Sequence, residues 1–454
     1  MNLSDIRLIY FVGIGGIGMS ALARYFNGRG VAVHGYDKTE SPLTRTLVAE
    51  GMHIHYDEDI DQIPEGVDLV VYTPAVPAAH AELQYFREHD FPVKKRSEVL
   101  GIISRGMKTV AIAGTHGKTT TTTITTYLLR EGGVICSAFL GGIARNFASN
   151  FVEGSGEWVV VEADEYDRSF LQLSPDIAIL LSMDADHLDI YGDREQLLET
   201  GFKAFVNRIK PGGKLVLRED LQPEFENRAS VLTFGLNAGQ YRAENIRVED
   251  GYFTFDYCSP ELEIKALKFS LPGRHNIENA TAAITVALQL GVSPADIRKA
   301  LLSFRGIQRR FEVVYRDDQV VYIDDYAHHP SELKAAINAA SELFPERKLT
   351  GIFQPHLFSR TRDFAADFAA SLDALDEVIL LEIYPARELP IPGVHSEMLR
   401  ELMQNPKVEV WKKSDLMDRL QDKKIDVLLT LGAGDIDRFV QPISQWLEDR
   451  NGAL

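Results

Sequence analysis

Short apolar, β-branched runs alternate with amphipathic helical stretches along almost the whole 454-residue chain, and no other feature restricts the fold as tightly. Strand-length apolar runs separated by helix-forming segments are what parallel sheets built from βαβ units require. In a first section Leu8–Val12, Val31–Gly35 and Leu69–Tyr72 read as strands, and the section ends near Ser104-Arg105-Gly106. A second opens with Thr109–Ile112 and continues through Trp158–Val161 and Ile177–Leu181. Its later part, Lys214 to Phe269, carries period-two runs such as Tyr252-Phe253-Thr254-Phe255, which predict a small antiparallel appendage before a helix over Ile277–Leu290. The third section begins after Arg309-Arg310-Phe311, with strands at Val320–Ile323, Leu349–Phe353, Val378–Leu381 and Val427–Thr430. The expected fold class is α/β in three domains, 1–106, 107–310 and 311–454, in keeping with a usual domain length of about 150 residues.

In an open parallel sheet, ligands bind beyond the carboxyl ends of the strands. The segment after Thr109–Ile112 reads Ala113-Gly114-Thr115-His116-Gly117-Lys118-Thr119-Thr120 and leads into a Thr-rich helical stretch. Small residues let backbone N–H groups close around phosphate oxygens, and the helix N-terminus adds a positive dipole end. Lys118 supplies a point charge and the Thr119 hydroxyl suits a magnesium ion shared with the phosphates, although the loop is one residue shorter than the usual GxxxxGK[ST] pattern. Lys118 is expected to face solvent, so that its removal would spare the fold.

Two acidic clusters follow the next strands, Glu162-Ala163-Asp164-Glu165-Tyr166-Asp167 and Asp184-Ala185-Asp186-His187-Leu188-Asp189. Neighbouring carboxylates repel unless a cation lies between them, and magnesium takes carboxylate, hydroxyl and phosphate oxygens. Helix capping and a solvated acidic loop are the alternatives, and His187 is a poor ligand for a hard cation on its own. Gly13-Ile14-Gly15-Gly16-Ile17-Gly18 also follows a strand and opens a helix, with Asp37 after the second strand. That loop fits any pyrophosphate, NAD and a nucleotide-diphosphate sugar alike, or serves tight helix–strand packing. In the third section strands run into Asp324-Asp325-Tyr326-Ala327-His328-His329-Pro330 and Gln354-Pro355-His356-Leu357-Phe358-Ser359-Arg360, residues that clamp carboxylate or phosphate, or cap helices.

A net charge of −18 argues against binding nucleic acid or an anionic membrane. Two cysteines, Cys136 and Cys258, are too few for a disulfide framework and read as small hydrophobes. With neither a signal-peptide pattern nor an apolar run of membrane-spanning length, a cytoplasmic location is expected.

Taken together, Gly13 to Ser20, the Gly-Thr-His-Gly-Lys-Thr-Thr loop, Glu162-Ala163-Asp164-Glu165, Asp184-Ala185-Asp186-His187, Gly273-Arg274-His275-Asn276, Arg309-Arg310-Phe311, Asp324 to Pro330 and Phe353-Gln354-Pro355-His356 resemble the Mur ligase family over nearly the whole chain. The resemblance implies an N-terminal Rossmann-like domain for a UDP-sugar, a central P-loop ATPase domain with a mainly parallel sheet, and a C-terminal Rossmann-like domain on the amino-acid side. It implies peptidoglycan precursor chemistry: ATP phosphorylates the lactyl carboxylate of UDP-N-acetylmuramate, and the amine of L-alanine displaces phosphate. By this likeness Gly114 to Thr120 hold the ATP phosphates, with Lys118 neutralising charge, Thr119 and Glu162 holding one Mg2+ and His187 a second. His275, Asn276 and Asn279 would lie near adenine, and Arg309 or Arg310 would reach the γ-phosphate. Gly13, Gly15, Gly16, Gly18 and Asp37 would take the sugar nucleotide, and Asp325, His328, His356 and Arg360 would line the amino-acid side. Lys118, His187, His356 and Arg360 would be catalytic, in a monomer or weak homodimer.

The sequence departs from the family pattern at Leu357, where Arg is usual, at Tyr166 for Ser and at Arg387 for Gly. The Asp-Glu-Tyr-Asp form is shared with the family member that attaches a recycled tripeptide to the same sugar nucleotide, which is the runner-up. A phosphate-loop switch or motor leaves both flanking sections unexplained, and an NAD dehydrogenase leaves Lys118 and the acidic clusters idle.

Overall fold

The computed structural model describes residues 3–184, 191–225, 228, 230–386 and 388–452. It contains three sheets. The first, in the order β3-β2-β1-β4-β5, consists of β1 (Leu8–Val12), β2 (Ala32–Tyr36), β3 (His53–His55), β4 (Leu69–Tyr72) and β5 (Val93–Lys95), all paired in parallel. Ile9 and Phe11 of β1 enter one apolar core, Tyr10 and Val12 the core on the opposite face. That two-sided burial is why the run is continuously apolar rather than alternating. The order reverses at β1, so the loop from Gly13 to Gly16 lies at the switch point, where such sheets bind ligands.

The central sheet is built from β6 (Lys108–Ala113), β7 (Cys136–Ala144), β8 (Ser149–Val152), β9 (Trp158–Glu162), β10 (Ile177–Leu180), β11 (Lys214–Arg218), β12 (Val231–Leu236), β13 (Tyr241–Glu249), β14 (Tyr252–Cys258) and β15 (Glu263–Phe269). Its order is β15-β14-β13-β12-β11-β10-β6-β9-β7-β8. The expected antiparallel appendage is narrower than 214–269: β11 and β12 continue the parallel sheet from β10, and β13 joins β12 in parallel. Reversal begins only at the Asp250-Gly251 turn, where both residues have positive φ and the two-residue link allows nothing but an antiparallel return. Antiparallel pairing also occurs between β7 and β8, strands that had no clear sequence signal. Cys136 is buried on β7 and Cys258 half-buried on β14.

The helix after β6, Lys118–Glu131, is threonine at seven of its fourteen positions, and every residue from Thr119 to Leu129 is buried. Threonine forms helices poorly because its hydroxyl competes for backbone groups. Here Thr122, Thr123 and Thr126 direct that hydroxyl to the carbonyls of Lys118, Thr119 and Thr122 at 2.7–2.8 Å, which satisfies it inside the core.

The third sheet has the order β16-β17-β21-β18-β19-β20, from β16 (Glu312–Arg316), β17 (Val321–Asp325), β18 (Leu349–Phe353), β19 (Glu377–Leu380), β20 (Val408–Val410) and β21 (Val427–Leu431). Only β16 runs against its neighbour. Packing divides the chain into two compact units, residues 1–244, 256–267 and 278–304 in one, and 245–255, 268–277 and 305–454 in the other. Among the described residues, no helix is long and apolar enough to cross a membrane.

Candidate active site

In the first unit, the loop after β6 closes over the end of β10. Gly117 holds φ at +81°, and a side chain there would begin 2.6 Å from Asn279 Oδ1, so only glycine lets the loop turn beside that amide. His116 N–H donates to Ser182 Oγ at 2.9 Å, and its Nε2 lies 3.3 Å from Asp184 Oδ2. Thr115 donates to the Asp184 carbonyl at 3.2 Å, and Thr120 is buried in the first helical turn.

Lys118 does not face solvent as expected. Its side chain is 12% exposed, and Nζ donates at 2.7 Å to Oε2 of Glu165, itself 1% exposed. Burial on its own would lower the lysine pKa, but Glu165, Asp164 and Glu162 outweigh it and raise it, so Lys118 is firmly charged. Thr119 Oγ1 donates to both Glu162 oxygens at 3.0–3.1 Å. Gly141 of β7 faces this pair: a methyl there would overlap Glu162 Oε2 outright and lie 2.7 Å from Thr119 Oγ1. Hydroxyl and carboxylate are the hard oxygens magnesium takes, and an ion that keeps waters and shares phosphates needs no more than one or two protein ligands. Among the described residues, no group of three or more His, Cys, Asp or Glu is arranged to hold a metal alone. His187 and Arg387 lie outside the described residues.

The first glycine loop and the phosphate-loop carboxylates line one cavity of about 280 Å³, with Gly16, Gly18, Arg96, Gly141, Glu162 and Asp164 on its walls. Gly13 N–H donates to the Tyr36 carbonyl at 2.8 Å. Asp37 accepts from Gly15 N–H at 2.7 Å and from Thr39 N–H at 3.2 Å, so its carboxylate shapes the loop. Arg96, the first residue of the helix Arg96–Gly106, lies against Gly18: its Nη1 is 2.7 Å from where a side chain at 18 would begin. Sequence reading missed Arg96 and Gly141, because a single Arg or Gly beyond a motif carries no spacing signal. The buried Asn150 of β8 bonds to the Ile17 carbonyl, Ser20 and Arg24, tying β8 to the helix that follows the first glycine loop.

In the second unit, Arg309 is tied to Asp324 at 3.1 Å and to the Gly432 carbonyl at 2.6 Å. Arg310 has its nearest carboxylate, Glu332, at 3.9 Å, which leaves it the more available of the two. Asp325 accepts from Phe311 N–H and Ala327 N–H at 2.6 and 2.7 Å. Burial, partly countered by Arg310, pushes its carboxyl up to about 6. His275 and Asn276 belong to this unit: Asn276 Nδ2 donates to the Pro272 carbonyl at 2.6 Å, and burial lowers His275 to about 4.

His328 and His356 stack edge to face with centroids 5.9 Å apart, and His356 lies over Tyr384 at 5.7 Å. Burial, then the neighbouring His328 and Arg360, lowers His356 to about 4, and burial likewise lowers His328. Both are neutral at pH 7, and His356 Nδ1 is buried with no hydrogen-bond partner among the described residues. Leu357 takes φ 70°, ψ 136° and caps the short helix Phe358–Asp363 that carries Arg360, a strained position for a leucine. A histidine whose charged form is disfavoured in the fold is protonated first in the unfolded chain. Stability is therefore fully present above pH 6.5 and is lost as pH falls towards 4. His356→Gln is expected to shrink the drop in denaturation midpoint between pH 7 and 5, and an unchanged drop would contradict the burial of this ring.

Family models match the chain along nearly its whole length: Mur ligase family, catalytic domain at 8–108, Mur ligase middle domain at 112–287, and Mur ligase, glutamate ligase domain at 309–434. The chain belongs to the Mur ligase family. It is 48% identical to the UDP-N-acetylmuramate–L-alanine ligase of Cytophaga hutchinsonii, over 100% of this chain and 99% of that one. It is 49% identical to the enzyme of the same name from Flavobacterium psychrophilum, over 99% and 100%. The crystal structure of UDP-N-acetylmuramate-alanine ligase from Thermotoga maritima superposes with a TM-score of 0.85 at 29% identity, covering 97% of this chain and 99% of that one. A murein peptide ligase from Psychrobacter arcticus shares the fold, with a TM-score of 0.71 at 24% identity over 96% and 99%.

Proposed function

We propose that this chain joins L-alanine to the lactyl carboxylate of UDP-N-acetylmuramate at the expense of ATP, in peptidoglycan precursor synthesis. The observation that carries the reading is the cavity that the first glycine loop shares with Glu162 and Asp164, Glu162 being the carboxylate bonded to Thr119 of the loop after β6. An acid anchored by its nucleotide on the glycine loop would extend towards the phosphate loop there. The full-length relatives near 48% identity favour alanine over the tripeptide.

A carboxylate is a poor electrophile, so its oxygen first attacks the γ-phosphorus and ADP leaves. Lys118 and the loop N–H groups neutralise the charge that builds on the phosphates. Thr119 and Glu162 would hold magnesium, which supplies further neutralisation at those oxygens. Asn279, beside Gly117, and His275 and Asn276 are assigned to the adenine end, and Arg310 to the γ-phosphate. The alanine amine then attacks the acyl carbon, and the tetrahedral adduct expels phosphate with the C–O bonding electrons. His356, held neutral by burial, is assigned the amine proton, while Arg360 and His328 hold the amino acid. Asp325 acts by fixing the turn that carries His328. The three stretches 1–106, 107–310 and 311–454 are assigned the sugar nucleotide, the ATP and the amino acid, in a cytoplasmic monomer or weak homodimer.

Phosphate release should require ATP, magnesium, UDP-N-acetylmuramate and L-alanine together; equal release without the sugar nucleotide, or better turnover with the tripeptide, would reject the assignment. Arg96→Ala is expected to raise KM for the sugar nucleotide by roughly 30-fold or more, the effect of about 2 kcal/mol from a lost charged contact, with kcat for bound substrate far less changed. An unaltered KM would remove Arg96 from the site.

A further inference from the structure

The reaction above gives Glu165 no task, yet this carboxylate is the partner of the phosphate-loop lysine, 2.7 Å away and almost fully buried. Its backbone is pinned: Tyr191 Oη donates to the Glu165 carbonyl at 2.9 Å, and Arg168 N–H donates to it at 3.0 Å. The two residues that follow Tyr166, Asp167 and Arg168, both sit in the left-handed region, with φ 51° and 55°. Non-glycine residues hold that conformation only when their surroundings enforce it. Here Lys95, the last residue of β5, donates to Asp167 Oδ2 at 2.8 Å, and the Arg168 guanidinium lies 5.1 Å from the Tyr191 ring centre. The turn that carries Glu165 is thus strained and is fastened at one end to the first sheet.

We propose that Glu165 is a positioning residue for Lys118, an internal anion that holds the ammonium in place until the nucleotide phosphates replace it. The proposal rests on the ATP-dependent reading given above. A triphosphate approaching Lys118 meets Glu165, Asp164 and Glu162, and like charges in a dry site repel strongly. The carboxylate nearest the lysine must therefore yield, and the strained 165–168 turn is the segment that gains by relaxing. Nucleotide and Glu165 then compete for one cation. Neutralising Glu165 makes nucleotide binding tighter, while Lys118, no longer aligned beforehand, works more slowly. A residue that only supported the fold would weaken binding and turnover together.

Calorimetric titration of Mg·AMP-PNP into the full chain and its Glu165→Gln variant, alongside kcat with ATP, separates the two roles. The variant is expected to bind about tenfold more tightly, the factor equivalent to 1.4 kcal/mol of relieved competition, and to turn over several-fold more slowly. Binding that is unchanged or weaker overturns the role. If Glu165→Gln does not fold, Lys95→Met loosens the same turn from outside the catalytic groups and is expected to give the same split at smaller size; unaltered Kd and kcat overturn it. Wild-type protein that fails to bind Mg·AMP-PNP overturns the ligase reading itself, whereas binding that Glu165→Gln leaves unmoved overturns only the assignment of Glu165.

Discussion

Lys118→Ala is expected to lower turnover by on the order of 10²–10³-fold or more, the scale of removing one preorganised charge-stabilising donor. Unlike a surface lysine, it is also expected to lower stability, because Glu165 would be left as a buried carboxylate without its cation. Breaking one side of a buried pair costs roughly 3 kcal/mol, far more than the pair contributes against an apolar substitute. The two effects separate in a double variant. Lys118→Met combined with Glu165→Gln should recover most of the denaturation midpoint and none of the turnover. A single variant with wild-type turnover would remove Lys118 from the mechanism, and a double variant as unstable as the single one would show that the loss does not come from Glu165.

Gly141→Ala is expected to be nearly as damaging to turnover, although the residue is exposed and has no side chain to lose. Substitutions at exposed positions usually shift stability by no more than about 0.5 kcal/mol. The added methyl, however, would occupy the space of Glu162 Oε2 and press on Thr119 Oγ1, so the carboxylate must swing away. The magnesium concentration giving half-maximal turnover should then rise about tenfold or more as a hard-oxygen ligand is lost, with thermal stability almost unmoved. Normal magnesium dependence in Gly141→Ala would show that Glu162 is not the ligand.

Much of this organisation was legible in the sequence, and the failures have physical causes. Leu8–Val12, Leu69–Tyr72 and Leu349–Phe353 were placed to the residue because strands buried on both faces carry apolar residues without strict alternation. His53–His55, Val93–Lys95 and Val408–Val410 were missed as edge strands of three residues, whose ladder bonds ask little of their side chains. The extent of the antiparallel part was overestimated because alternation reports a half-buried face and says nothing about strand direction. At the candidate site, the motif residues that follow strands had a local signal, since loop and helix N-terminus impose their spacing. Lys118 was misjudged as solvent-facing because its partner, Glu165, lies 47 positions away and is brought to it only by the pairing of β6 with β9. Arg96 and Gly141 depend on tertiary approach alone, which leaves no local trace.

The threonine-filled helix behind the phosphate loop has one more consequence. Cut out of its sheet, such a segment would spend little time helical, since each threonine costs about 0.5 kcal/mol against alanine and the hydroxyls would turn to water. The candidate nucleotide cradle is therefore expected to be ordered only while the surrounding layers are ordered. It is expected to melt together with the sheet of its own unit, so that loss of that sheet alone would also undo the loop.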